Sequence, residues 1–124
     1  MDEQRFNFEN LVVYQKAKEY VCLIYSLQRN LPKEEQFALC DQLRRAAVSV
    51  TSNIAEGMSR QTAKERMRFL DIAYGSLMET FSQMDLACEF GYISQNELKT
   101  VREHASTIFR LLAGLKKSLK SQEL

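Results

Sequence analysis

The sequence predicts an all-α protein: an antiparallel four-helix bundle of up-down-up-down topology, formed as a single domain over residues 1–124. Three observations carry that expectation. Four glycines and one proline in 124 residues are too few to punctuate a strand-rich fold. Apolar residues recur with 3-4 spacing in four separate segments, the pattern required for knobs-into-holes packing. The stretches between those segments are only a few residues long, so neighbouring helices must run antiparallel. The helices are expected at about 7–30, 33–57, 62–90 and 94–120. At 1.5 Å per residue they span roughly 35 to 45 Å.

The first helix is expected to open at Phe6-Asn7, with Asn7 as N-cap and Phe6 and Leu11 as a hydrophobic staple. Its seam is Val13, Ala17, Tyr20, Ile24, Leu27 and Leu31. Pro32 blocks continuation and favours a fresh start. The second helix therefore opens near Lys33-Glu34-Glu35, whose two carboxylates suit the positive end of the helix dipole. Its seam is Leu39, Leu43, Ala46, Val50 and Ile54, and Gly57 is expected at C′, just past its end. Thr62-Ala63-Lys64-Glu65 reads as a capping box that opens the third helix. The seam there runs Leu70, Ala73, Leu77, Thr80 with Phe81, Met84, and Ala87 with Cys88, and Gly91 closes the helix. Ser94-Gln95-Asn96-Glu97 is a second capping box, with Ile93 and Leu98 as its staple. The fourth helix carries the cleanest seam: Leu98, Val101, Ala105, Ile108, Leu112, Leu115 and Leu119.

Hydrophobic content of 45% and charged content of 27% are those of a soluble globular domain. A chain of this length buries roughly two thirds of its extended surface, so it needs neither metal nor disulfide to fold. No apolar run approaches the ~20 residues of a membrane span. The start, Met-Asp-Glu-Gln-Arg, is acidic and polar where a signal peptide is basic and then apolar. The expected location is the cytoplasm, with no membrane partner. Cys22, Cys40 and Cys88 form no Cys-x-x-Cys pair and are expected as buried free thiols in a reducing compartment. Formal net charge is +1, so any nucleic-acid partner has to be argued from the distribution of charge.

Enzyme chemistry finds no foothold. A di-iron bundle needs Glu-x-x-His on two helices, whereas His104 is the single histidine and follows Val101 at that spacing. The seams of the first, third and fourth helices contain no carboxylate. There is no Gly-x-Gly-x-x-Gly, no Walker-type loop and no Gly-x-Ser-x-Gly. The tyrosines read as core and rim residues, and His104 as a flank histidine. No catalytic, cofactor-binding or metal-ligating residue is therefore expected, and the chain is expected not to be an enzyme.

Two polar features remain. On the second helix Gln42, Arg45, Ser49, Asn53 and Glu56 gather beside the seam. Hydroxyl, amide and charged groups in one line read as a network that bridges to the third helix or to another subunit. The third helix offers Ser76, Glu79 and Gln83 beside Gly75, a residue that permits close approach. Arg45 is expected to pair with Glu79 or Glu56. Such groups fix register and assembly at some expense in stability. On the fourth helix six cations face two carboxylates. Lys99, Arg102, Arg110, Lys117 and Lys120 project opposite the seam over about 30 Å. That row can follow a phosphate backbone, or it is a solvated face with cations near the favoured C-terminal end. A shorter cluster, Arg60, Lys64, Arg66 and Arg68, precedes and opens the third helix.

Several segments together resemble a known family. They are Phe8 through Ala17, Gln42-Leu43-Arg44-Arg45-Ala46-Ala47, Ser49, Asn53-Ile54-Ala55-Glu56-Gly57, and Ala73-Tyr74-Gly75-Ser76-Leu77 with Glu79. The chain resembles the bacterial four-helix-bundle family of 23S ribosomal RNA intervening-sequence proteins, often labelled a ribosomal protein. The resemblance implies an antiparallel bundle that assembles as a ring-like homopentamer. Relatives include proteins encoded inside intervening sequences of ribosomal RNA genes. They also include the accessory variability determinant of diversity-generating retroelements, which is positively charged, binds nucleic acid and partners a reverse transcriptase. This chain differs from that branch in its near-neutral charge. Two readings follow. One is a non-enzymatic oligomer that binds RNA or DNA through the basic face of the fourth helix. The other is a homo-oligomeric scaffold for a protein partner, with that face merely solvated.

Overall fold

The structure is a computed structural model that describes residues 5–122. The acidic start, Met1 to Gln4, lies outside the described residues. Four helices form the molecule: α1 (Val12–Gln28), α2 (Leu39–Met58), α3 (Ala63–Glu89) and α4 (Gln95–Gln122). Short 3-10 turns occupy Asn7–Asn10 and Lys33–Glu35, and no strand occurs among the described residues. α1 packs on α2 and α4, and α3 packs on the same two helices, so the four close into a square.

The apolar periodicity decides what lies inside. All the seam positions named above are buried except Phe81, Cys88 and Leu115, which are half-buried. Each fully buried leucine or isoleucine contributes about 1.5–3 kcal/mol by leaving water. Two hydroxyls join across the centre: Tyr20 of α1 and Thr80 of α3, both fully buried, lie 2.7 Å apart. Thr80 Oγ1 donates to the Leu77 carbonyl at 2.7 Å, so the Tyr20 hydroxyl is the donor to Thr80. Burial pushes the Tyr20 hydroxyl pKa up to about 12.

The helix ends differ from expectation in three places. Asn7 is not the N-cap of α1. It opens a 3-10 turn closed by the Phe6 N–H donating to Glu9 Oε2 at 2.7 Å, while Leu11 precedes α1 with no side-chain cap. Phe6 is exposed and stacks on Phe8 rather than stapling to Leu11. The α-helical part of the second segment starts at Leu39, not Lys33. No seam residue precedes Leu39, and a short segment without a packed face does not sustain a helix. Gly57 lies inside α2 with helical backbone, not at C′. A Cβ there would sit 2.9 Å from Phe69 Cβ and 3.3 Å from the Arg66 carbonyl oxygen. Glycine is needed at 57 because α2 and α3 approach closely, not because the chain turns.

Elsewhere the punctuation acts largely as expected. At Thr62 only half of the expected box forms: its Oγ1 accepts the Glu65 N–H at 3.2 Å, without a return bond to the Glu65 side chain among the described residues. Ser94 and Glu97 cap reciprocally, at 2.8 and 3.0 Å. Gly91 has φ +82°, and the N–H groups of Gly91 and Tyr92 return to the carbonyls of Cys88 and Ala87 at 2.9 Å each. That pair of bonds is a Schellman motif. Of the thiols, Cys40 is buried and Cys88 half-buried, but Cys22 is exposed and does not fit the expectation of a buried thiol.

Candidate nucleic-acid interface

Because α3 and α4 are antiparallel neighbours, the start of α3 lies beside the end of α4. Lys116 of α4 forms an ion pair with Asp71 of α3 at this junction. Around it Lys64, Arg68, Lys116, Lys117 and Lys120 line an open groove of about 760 Å³ with Met67 and Ile72. Asp71 is the single carboxylate in that wall. Four of the five cations make no ion pair among the described residues. An uncompensated cluster of this kind raises the local positive potential far above what a net charge of +1 conveys.

The row expected on α4 divides between two places. All five members, Lys99, Arg102, Arg110, Lys117 and Lys120, are exposed. Lys117 and Lys120 belong to the groove. Arg102 leans onto α3, its guanidinium carbon 4.5 Å from the centre of the Phe81 ring. Lys99 and Arg110 stand between or beyond these and make no ion pair among the described residues. The second basic cluster also divides. Lys64 and Arg68, four residues apart on one face, enter the groove. Arg60 instead bonds Glu56 at 2.6 Å and covers the Phe69 ring, and Arg66 donates to the Arg60 carbonyl at 2.8 Å. The sequence reading missed that Lys64, Arg68 and Lys116 join Lys117 and Lys120. An antiparallel register drawn between the third and fourth helices was the signal that could have found it.

The polar stripe of α2 resolves into two layers. Ser49 and Ser76 bridge α2 to α3 at 2.8 Å. Asn53 Nδ2 donates to the Ser49 carbonyl at 2.8 Å and to its hydroxyl at 2.9 Å. Gln83 donates to Gln42 at 3.4 Å, and the buried Gln83 Oε1 has no partner among the described residues. The charged members stay outside. Arg45 pairs with Asp41 at 3.1 Å rather than with Glu79 or Glu56, because one helical turn brings Asp41 alongside while Arg45 remains exposed. Glu56 takes Arg60, and Glu79 is exposed. Gly75 is exposed too, with open space where a Cβ would stand, so no neighbour approaches it within the chain.

His104 is half-buried and lines a small hollow with Lys16, Glu103 and Thr107. Among the described residues no three His, Cys, Asp or Glu side chains gather as a metal site would require. No helix among them is long and apolar enough to cross a membrane. Fold and surface together define a four-helix bundle with a cationic groove between its third and fourth helices.

The comparisons with known proteins place that bundle. The family model described as 23S rRNA-intervening sequence protein matches residues 9–114, and the chain belongs to that family. Four chains among the solved structures match. One is a protein of unknown function from the S23 ribosomal protein family of Bacteroides thetaiotaomicron VPI-5482. It is 25% identical, with a TM-score of 0.78 over 86% of this chain and 99% of that one. None of the curated proteins matches the chain.

Proposed function

We propose that this protein is a non-enzymatic, cytoplasmic nucleic-acid-binding protein whose contact surface is the α3/α4 groove and the exposed face of α4. The observation that carries this reading is the meeting of Lys64, Arg68, Lys116, Lys117 and Lys120 around one carboxylate. A phosphate backbone supplies repeated anions to such a surface, and binding gains entropy from the counterions it releases. RNA is favoured over DNA because the family is described by its connection to a 23S rRNA intervening sequence.

A second element of the proposal is assembly. Gln42, Arg45, Glu56 and Glu79 all stand exposed, and Gln42 meets Gln83 across the α2/α3 junction. Exposed amide and charged groups of this kind are free to pair with those of a second copy of the chain. The family resemblance supports taking that assembly to be a homopentamer, which would repeat the groove around a ring. A scaffold that binds a protein partner instead leaves the groove unused.

Binding of structured RNA and duplex DNA, followed by anisotropy over a range of salt, separates these readings. Each phosphate contact contributes about 0.9 to the slope of log K against log salt on a duplex and about 0.7 on a single strand. Reversing Lys99, Arg110 and Lys117 to Glu should abolish binding. Absence of binding to either polymer at low salt refutes the nucleic-acid reading and leaves the scaffold.

A further inference from the structure

The α3/α4 face carries exposed rings between its cations. Tyr74 and Phe109 are 38% and 45% exposed, with ring centres 5.5 Å apart and planes tilted by 46°. Met78, Phe81, Arg102, Ala105 and Phe109 line an adjoining hollow of about 320 Å³, with the Arg102 guanidinium over the Phe81 ring. Three pairs thus cross the junction in antiparallel order: Asp71 with Lys116, Tyr74 with Phe109, and Phe81 with Arg102. On α4 the three members stand seven residues apart, about 10 Å along that helix, while on α3 they stand three and seven residues apart.

Exposed rings and an exposed Met78 on one face mark a contact surface rather than scattered apolar residues. Its charge selects the occupant. An apolar peptide laid here would cover the Arg102 guanidinium without supplying an anion, and desolvating a charge without a partner is costly. A nucleotide supplies both a flat ring and a phosphate. In a duplex the flat faces of the bases are hidden and only phosphates are offered, whereas a single strand presents each base for stacking on aromatic and guanidinium planes.

We infer that this face binds single-stranded nucleic acid. Bases stack on Tyr74, Phe109 and the Arg102–Phe81 pair, and phosphates run toward Lys117 and Lys120. Duplexes engage the cationic groove alone. The inference rests on the nucleic-acid reading above and names the form of nucleic acid the same surface takes.

The test uses the full chain and labelled RNA of about 12 nucleotides, as oligo(U), as oligo(A) and as a blunt duplex of similar length. Wild type should bind the single strands at least about 10-fold more tightly than the duplex, from the gain of one or more stacked bases. Tyr74→Leu and Phe109→Leu keep an apolar side chain but remove the ring. Each should weaken single-strand binding by about 5- to 150-fold and leave the salt slope and duplex affinity unchanged. Phe109→Tyr, which restores a ring, should bind like wild type. The pair Lys117→Glu with Lys120→Glu should weaken both forms and flatten both slopes. Equal affinity for single strand and duplex, with the Leu variants unchanged, overturns this inference while the nucleic-acid reading stands. No binding of any form at low salt overturns both. A Phe109→Leu variant of normal helicity that loses self-association but keeps wild-type RNA affinity assigns the rings to a protein contact, and overturns the stacking inference alone.

Discussion

Replacing Gly57 with alanine sets two effects of opposite sign against each other, and the geometry decides between them. Alanine in a helix interior is favoured over glycine by about 1 kcal/mol. At position 57 the added Cβ would meet Phe69 Cβ at 2.9 Å and the Arg66 carbonyl oxygen at 3.3 Å. Neither atom is the tip of a flexible side chain, so α2 and α3 must move apart by some tenths of an ångström. Overpacking of that kind costs about 1–3 kcal/mol. The difference is a net loss of about 0–2 kcal/mol, centred near 1, which lowers the melting temperature by roughly 4 °C in a domain of this size. Gly114→Ala is the control, since nothing lies within 4 Å of a Cβ there and only the helix preference operates. It should stabilise by about 0.4–1 kcal/mol. Urea denaturation followed by far-ultraviolet circular dichroism measures both. If Gly57→Ala stabilises as much as Gly114→Ala, the close approach of α2 and α3 is not what demands glycine.

Two further predictions concern buried polar groups. The Tyr20 pKa is raised from 10.0 to about 12, so the folded state holds this proton where the unfolded chain has lost it. The corresponding stability, about 2–3 kcal/mol, is fully present below pH 10 and is lost as pH rises toward 12. Tyr20→Phe should cost about 0.5–1.5 kcal/mol at neutral pH through loss of the bond to Thr80. It should also flatten the alkaline fall in denaturation free energy, and an unchanged alkaline profile would count against the buried tyrosine as its source. Asn53→Leu removes both bonds to Ser49 on the α2/α3 junction. Light scattering should show a change in assembly mass larger than the change in helicity. A monomeric wild type would end the assembly proposal.

The seams, the Thr62 and Ser94 caps and the Gly91 turn were all legible in the sequence, because each depends on residues within about one helical turn of one another. Gly57 was misread for the same reason. Its local context is that of a helix end, while its cause is Phe69, which only the packed structure brings beside it. Arg45 shows the reverse error. The expected partners were Glu79, on the neighbouring helix, or Glu56, three turns along its own, yet Asp41, four residues away, was within reach, and a short surface pair forms without tertiary help. The Ser49–Ser76 contact, expected as part of a broader network, is where the two helices do exchange hydroxyl groups.

Periodicity and punctuation in one dimension were enough to specify the class of fold, the inward face of each helix and a basic outer side on α4. Those properties follow from repeat length and local hydrogen bonding, and they hold whichever neighbour a helix meets. The interface was decided elsewhere. Lys64 and Lys117 are more than fifty residues apart along the chain, and they share a groove only because α3 runs antiparallel to α4 in the register shown by Asp71–Lys116 and Tyr74–Phe109. Charge and rings become a surface when packing sets two helices side by side, and that relation is absent from either helix alone.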